Sequence, residues 1–129
     1  MCIIDSIKTF GGIAAGPDPL KELHRQIREL FAGRAGETIT SSDIVDVMNM
    51  VGKCVVSGNV RRSAEIAVGG LHDENFLNLK DWNVNPERMG ADGWGHTSNN
   101  SVFAAVGEDV SHLVNRIAMN GEPGILYLD

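Results

Sequence analysis

Two adjacent arginines, Arg61 and Arg62, are the residues of this sequence best suited to bind an anionic ligand. They stand in the stretch 58–68, which begins at a glycine expected to end a helix and continues into the alternating residues of a strand. Adjacent side chains on an extended segment point apart, so one guanidinium can reach a phosphate or a base while the other faces a second element. Two solvated arginines on a surface loop are the alternative.

A second candidate segment is the small-residue stretch 11–17, which opens with Gly11 and Gly12. Its glycines permit positive φ and let a ligand approach the backbone closely. The spacing matches neither the G-x-G-x-x-G fingerprint nor a P-loop, so those two kinds of nucleotide site are not predicted here.

A third candidate segment is the polar run 97–101, which stands before the apolar run 102–106. Short side chains at a strand end, here Ser98, Asn99 and Asn100, can contact sugar hydroxyls or a base. A plain turn closed by its own Asx hydrogen bonds explains the same residues equally well.

Length and composition set the class of protein. The chain has 129 residues, of which 43% are hydrophobic, which suits one domain with a core. Its formal net charge of −6 argues against binding to nucleic acid or to an anionic membrane. Two cysteines, no apolar run long enough for a bilayer and no signal-peptide pattern predict a soluble, cytoplasmic protein.

Two long helices are predicted before the arginine pair. The first covers 19–32, with Asp18 as its N-cap. The second covers 41–56, where Thr40 and Asp43 form a capping box between the staple positions 39 and 44. Its apolar stripe, predicted to be buried, consists of Ile44, Val47, Met48, Val51, Cys54 and Val55. On that stripe Cys54 is expected to be a core residue, not a catalytic one.

Shorter elements follow and decide the fold class. They are a strand ending near Val68, a turn at 69–70, a short helix over 74–80, a loop over 81–96, a strand over 102–106, a helix over 109–119 and a last strand over 124–128. This alternation predicts an α/β fold with about three helices and three or four short strands. So few strands cannot close a barrel, so we expect a single partial domain over 1–129, a slice of a larger barrel.

Four segments, in order, resemble successive landmarks of the adenosylcobalamin-dependent (class II) ribonucleotide reductases, and most closely the monomeric type that reduces ribonucleoside triphosphates. They are Thr-Phe-Gly-Gly-Ile-Ala-Ala-Gly-Pro at 9–17, Gly-Asn-Val-Arg-Arg-Ser-Ala-Glu-Ile-Ala at 58–67, Ser-Asn-Asn-Ser-Val at 98–102 and Asn-Gly-Glu-Pro-Gly-Ile at 120–125. The resemblance covers essentially the whole chain but only an interior slice of the family's ten-stranded α/β barrel.

The resemblance implies a radical enzyme. In the family, homolysis of adenosylcobalamin generates a thiyl radical on a cysteine, which takes the 3′ hydrogen of the ribose. The 2′ hydroxyl leaves as water, and a second pair of cysteines supplies the electrons. The radical cysteine lies in an Asn-x-Cys-x-Glu motif that does not occur in this sequence. We therefore expect no radical or redox role for Cys2 or Cys54, and no activity from the isolated chain.

The same resemblance implies that region 9–65 senses nucleotides. Its two loops resemble those that read the deoxynucleoside triphosphate effector and transmit its identity to the substrate base. The residues implied to contact effector or substrate are Gly11, Gly12, Asn59, Arg61, Arg62, Ser63, Ser98, Asn99 and Asn100. The implied partners are a ribonucleoside triphosphate substrate, the effector, a thioredoxin-type reductant and the rest of the reductase. A stand-alone nucleotide-sensing or phosphate-binding module, or a structural fragment that needs the rest of its barrel to fold, are the alternatives.

Overall fold

The computed structural model describes residues 6–7, 12–13, 15–57, 65–90 and 93–128. The chain opens with an antiparallel pair of two-residue strands, β1 (Ser6–Ile7) and β2 (Gly12–Ile13). Two long helices follow, α1 (Asp18–Ala32) and α2 (Ser41–Val56). None of the described helices is both long enough and apolar enough to cross a membrane.

The second half of the chain forms a three-stranded parallel sheet in the order β3-β4-β5. The strands are β3 (Glu65–Gly70), β4 (Ser98–Ala105) and β5 (Gly124–Leu128). The helix α3 (Glu74–Leu77) and a 3-10 turn at 86–88 lie between β3 and β4. A 3-10 turn at 111–113 and the helix α4 (Val114–Asn120) lie between β4 and β5. The α/β prediction is confirmed, with four α-helices in the described ranges where about three were expected.

One face of this sheet carries the hydrophobic core. Buried and exposed residues alternate along β4, as expected for a strand with two different environments. The core consists of Leu71, Phe76, Leu77, Leu79, Val102, Ala104 and Leu113. It therefore joins β4 to the helical segments that precede and follow it.

The opposite face of the sheet, which we call the open face, is apolar and exposed. In the strand register, Ile66 lies beside Asn99, and Phe103 lies between Gly70 and Leu126. Ile66 is 72% exposed, and Phe103 and Leu126 are each more than 40% exposed. Since parallel sheets in proteins are normally covered on both faces, this surface resembles the inner side of a larger structure.

The predicted boundaries are right for α2 and β5 and wrong where sheet pairing extends a strand. Gly69 and Gly70 belong to β3 and not to a turn, because they pair with Val102 and Phe103. The polar residues 98–101 belong to β4 and not to a loop before it.

Three helix predictions need smaller corrections. The N-cap of α1 is Pro17, and Asp18 is the first helical residue, where it pairs with Lys21 at the surface. The short helix α3 ends at Leu77, three residues before its predicted end. The predicted helix over 109–119 is a 3-10 turn followed by α4, which ends at Asn120 and is capped by Gly121 in the left-handed conformation (φ 73°).

The predicted buried stripe of α2 is wrong. The helix buries a polar face, with Asp43, Asp46 and Asn49 each 2% exposed, whereas Ile44 and Met48 of the apolar stripe are more than half exposed. The physical reason is that the carboxylates of this face have hydrogen-bonding partners on other segments, which turn it toward the protein. Cys54 is half-buried.

Gly69 offers a test of how β3 packs on α3. A Cβ built at Gly69 would lie 2.4 Å from ring atoms of Phe76, so Gly69→Ala must displace that core side chain. We expect the free energy of unfolding to fall by about 1–3 kcal/mol. Chemical denaturation of the complete protein, followed by tryptophan fluorescence, measures this change.

The matched control is Gly70→Ala, one residue along the same strand. A Cβ there would have Asp73 Cβ at 3.8 Å, an ordinary contact, so its effect should stay within about 0.5 kcal/mol. Equal stability of the two variants would contradict the packing of Phe76 on Gly69.

Candidate functional site

The described residues include part of the predicted nucleotide site. Gly12 lies in β2, where it pairs with Ile7. Ser98, Asn99 and Asn100 are the first three residues of β4. The other predicted contact residues lie outside the described residues, and their roles stay predictions; they are Gly11, Asn59, Arg61, Arg62 and Ser63.

The start of β4 presents its side chains to two different sides. Ser98 and Asn100 are buried on the core side, where Ser98 Oγ donates a hydrogen bond to Asn100 Oδ1 over 2.9 Å. Asn99 is exposed and lies on the open face, beside Ile66 in the register. Half-buried Ser101 follows two residues later on the same face. Of the three predicted residues, Asn99 is therefore the one available to a ligand on the open face.

Two charged side chains contact the main chain at this point. Lys80 Nζ donates to the carbonyl oxygen of Ser98 and, over 2.9 Å, to Glu122 Oε1. The other oxygen of Glu122 accepts a hydrogen bond from the main-chain N–H of Asn100 over 3.1 Å. Periodicity missed both residues, since each lies in a connection; only the resemblance of the segment 120–125 marked Glu122.

A buried carboxylate, Asp46, links α2 to the segment before β4. Arg88 donates to it from Nη2 over 2.7 Å and from Nε over 3.1 Å, and Trp94 Nε1 donates over 2.9 Å. A buried charge with this many charge-assisted and indole donors is well compensated. The loop that leads into β4 is therefore fixed to the middle of α2.

The start of α2 is fixed by a second buried carboxylate, Asp43. Its Oδ2 accepts from Thr40 N over 2.9 Å and from Thr40 Oγ1 over 2.7 Å, and its Oδ1 accepts from Arg34 Nε over 3.1 Å. The predicted capping box is confirmed. Burial raises the pKa of Asp43, but the hydrogen bonds from Thr40 and the charge of Arg34 outweigh it, so this pKa lies below its usual value.

A cavity of about 570 Å³ lies between α1, α2 and the side chains of Glu87 and Trp94. Its rim carries the carboxylates of Glu22, Glu29 and Glu87 around one guanidinium, Arg25. Arg25 already pairs with Glu22 and Glu29, both over 2.5 Å. The lining is therefore net negative and unsuited to a phosphate group.

Within the described ranges, no three histidine, cysteine, aspartate or glutamate side chains stand close enough to hold a metal ion. A half-buried carboxylate, Glu65, begins β3 beside a groove lined by Ile44 and Met48, and burial raises its pKa. Glu65 pairs with Ser98 and so lies on the core side. The candidate site is the open face at the start of β3 and β4, where Asn99 and Ser101 are the described polar residues.

The chain is similar to proteins of several organisms, and these proteins carry the same name. The chain is 50% identical over 125 residues to the "Probable adenosylcobalamin-dependent ribonucleoside-triphosphate reductase" of Dictyostelium discoideum. It is 48% identical over 122 residues to the adenosylcobalamin-dependent ribonucleoside-triphosphate reductase of Euglena gracilis, and 40% identical over 124 residues to that of Lactobacillus acidophilus. These alignments cover 95–97% of this chain.

The chain spans 16% of the length of each of these relatives. No family model matches the chain, and no solved structure matches it. The relationship therefore rests on direct identity to full-length proteins along nearly all of this sequence.

The stability of the folded chain is expected to depend on pH through Asp43. Its pKa is lower in the folded chain than its ordinary value of 3.8, so its stabilising contribution is present above about pH 4 and is lost as the pH falls through the folded pKa. At pH 7 we expect Asp43→Asn to have a lower melting temperature than the unaltered protein. The difference between the two melting temperatures should become smaller below about pH 4. Melting temperatures measured from pH 7 down to pH 2.5 test this.

The control is Asp18→Asn, which removes a carboxylate from the exposed pair with Lys21. Exposed ion pairs contribute about 0–1 kcal/mol, so this variant should follow the unaltered protein throughout. If the difference in melting temperature between Asp43→Asn and the unaltered protein is the same at every pH, the charge of Asp43 does not have the proposed role.

Proposed function

We propose that this chain, a homologue of one segment of the adenosylcobalamin-dependent ribonucleoside-triphosphate reductases, is part of such an enzyme. The observation that carries the proposal is 40–50% identity across at least 95% of the chain. The complete protein would then convert ribonucleoside triphosphates to deoxyribonucleoside triphosphates. This segment would contribute surfaces that contact nucleotides.

The open face of the sheet supports this proposal. In an α/β barrel the helices cover the outer side of a parallel sheet and the inner side chains face the barrel interior. Here the helices and the core lie on one side of β4, and the exposed apolar residues Ile66, Phe103 and Leu126 lie on the other. We infer that the three strands are adjacent strands of the proposed ten-stranded barrel and that the open face is its interior.

The nucleotide-contacting role is proposed for one end of this face. Asn99 offers both a donor and an acceptor there, which suits a ribose hydroxyl or a base. Arg62 precedes Glu65 by three residues, and Glu65 pairs with Ser98 at the start of β4. The arginine pair is therefore close in sequence to the strand that pairs with the start of β4, which supports a shared role with Asn99.

Adenosylcobalamin itself does not fit the described part of the chain. It is a corrin ring with two attached nucleoside groups, whereas the cavity between α1 and α2 has the size of a pocket for one small ligand, about 570 Å³, and an acidic rim. We assign none of the described residues to the cofactor. The proposed contribution of this segment is to bind and orient nucleotides.

The complete chain that contains this segment provides the test. Purified protein is incubated with a ribonucleoside triphosphate and a dithiol reductant, with and without adenosylcobalamin, and deoxyribonucleoside triphosphate is quantified. We expect product only when the cofactor is present.

The absence of product under all conditions would refute the proposed function. Thermal stabilisation by a deoxynucleoside triphosphate in such an inactive protein would favour a nucleotide-sensing module instead.

The arginine pair gives a second prediction, which concerns allostery in the complete enzyme. Arg61→Ala or Arg62→Ala should weaken the effect of the effector on the preferred substrate base at least about fivefold, the lower end of typical coupling between sites. The basal rate should change less, because the pair is proposed to bind nucleotide and not to transfer protons. Competition assays with mixed ribonucleoside triphosphates, with and without effector, measure both quantities.

Arg28→Ala is the matched control, because Arg28 is an exposed arginine on α1. It should leave the effector response unchanged. An unchanged effector response in both Arg61→Ala and Arg62→Ala would refute the role of the pair.

A further inference from the structure

The strand β4 begins three residues before β5 joins it. Ser98 pairs with Glu65 of β3, but the first partner on the other side is Gly124, which lies opposite Ser101. In an extended strand, the N–H and C=O groups of residues i and i+2 point to the same edge. The carbonyl of Ser98 and the N–H of Asn100 therefore both point toward β5, beyond the point where β5 begins.

Side chains supply the bonds that a longer β5 would have made. Lys80 Nζ donates to the Ser98 carbonyl, and Glu122 Oε2 accepts from the Asn100 N–H over 3.1 Å. The two side chains also bond to each other, with Lys80 Nζ 2.8 Å from Glu122 Oε2. They are only 12% and 21% exposed, so little water competes for these groups.

The pair is itself held from two different connections. Lys80 follows α3, and its own carbonyl accepts a hydrogen bond from Asn120 Nδ2 over 3.0 Å at the end of α4. Glu122 lies between α4 and β5. The start of β4 is thus fixed relative to both of the helical connections that pack under the sheet.

We propose that the Lys80–Glu122 ion pair positions Asn99 for the nucleotide. It holds the main chain on both sides of Asn99, and the Ser98–Asn100 side-chain bond holds the neighbouring side chains on the core side. A slip of one residue in this register would turn Asn99 away from the open face. Lys80 and Glu122 are positioning residues that act through β4. This inference rests on the proposed function in one respect, that the open face receives the ribonucleoside triphosphate.

Steady-state kinetics of the complete reductase tests the proposal. Glu122→Ala and Lys80→Met each remove a bond to β4, and Asn99→Ala removes the positioned side chain. Each should raise the KM for the ribonucleoside triphosphate about tenfold, the effect expected for losing about one good hydrogen bond, with kcat within about twofold. Glu122→Gln keeps an oxygen that can accept from Asn100 N–H, so its KM should stay within about threefold of the unaltered enzyme.

The matched control is Arg116→Met. It breaks an ion pair between α4 and α3, Arg116 Nη2 to Glu74 Oε2 at 2.8 Å, which does not touch β4. Because Glu74 is 67% exposed, we expect Arg116→Met to lower the melting temperature less than Lys80→Met does and to leave the KM unchanged. Removal of one partner of a buried pair can prevent folding, so the double variant Lys80→Met/Glu122→Gln, which removes both charges together, is measured as well and should also show the tenfold rise.

The outcomes separate this inference from the function on which it rests. An unaltered enzyme that reduces no ribonucleoside triphosphate would refute the proposed function. An active enzyme in which Glu122→Ala or the double variant keeps its KM, or in which Arg116→Met raises the KM equally, would refute the positioning role alone. Restoration of the KM by Glu122→Gln supports it.

Discussion

The side of α2 that faces the protein carries a buried and fully bonded carboxylate, Asp46. A charge that is 2% exposed requires its donors, and those donors are Arg88 and Trp94, in the segment that leads into β4. Once this polar face is turned inward, the apolar residues Ile44 and Met48 are left exposed beside β3. The burial of this face, to which Asp43, Asn49 and Met50 also belong, accompanies the orientation of α2, the path of the loop and the apolar surface next to the sheet.

The open face of the sheet lies on the side opposite the helices, so the described part of the chain has an inside and an outside. The outside has helices, solvated ion pairs and a filled core. The inside has exposed aliphatic and aromatic side chains and, at one end, the polar residues Asn99 and Ser101. Such a surface has a physical explanation when the rest of a barrel closes over it, which agrees with relatives of which this chain spans 16%.

Local signals in the sequence were enough to predict some elements and not others. The capping box of Thr40 and Asp43 acts over a few residues, so the start of α2 could be predicted. The extensions of β3 through Gly70 and of β4 back to Ser98 depend on pairing between strands, which no local pattern reveals.

The buried face of α2 was mispredicted for a related reason, because the partners of Asp46 lie more than forty residues away along the chain. The resemblance to the reductases pointed to Asn99 but gave no way to separate it from its neighbours Ser98 and Asn100. Once β4 is known to begin at Ser98, the alternation of side chains along the strand places Ser98 and Asn100 on the core side and Asn99 on the open face.

The register of the sheet also bears on how the chain folds during synthesis. Glu65 pairs with Ser98 and Ser101 with Gly124, so both strand pairs of the three-stranded sheet join distant parts of the sequence. Parallel pairing of this kind must offset the entropy of closing a long loop before it gains any contacts, which makes it slow. Until β5 has been synthesised, the edge of β4 with which it pairs has no strand partner and can associate with other chains. The register of this sheet thus favours slow folding with apolar surface exposed until its last strand is in place.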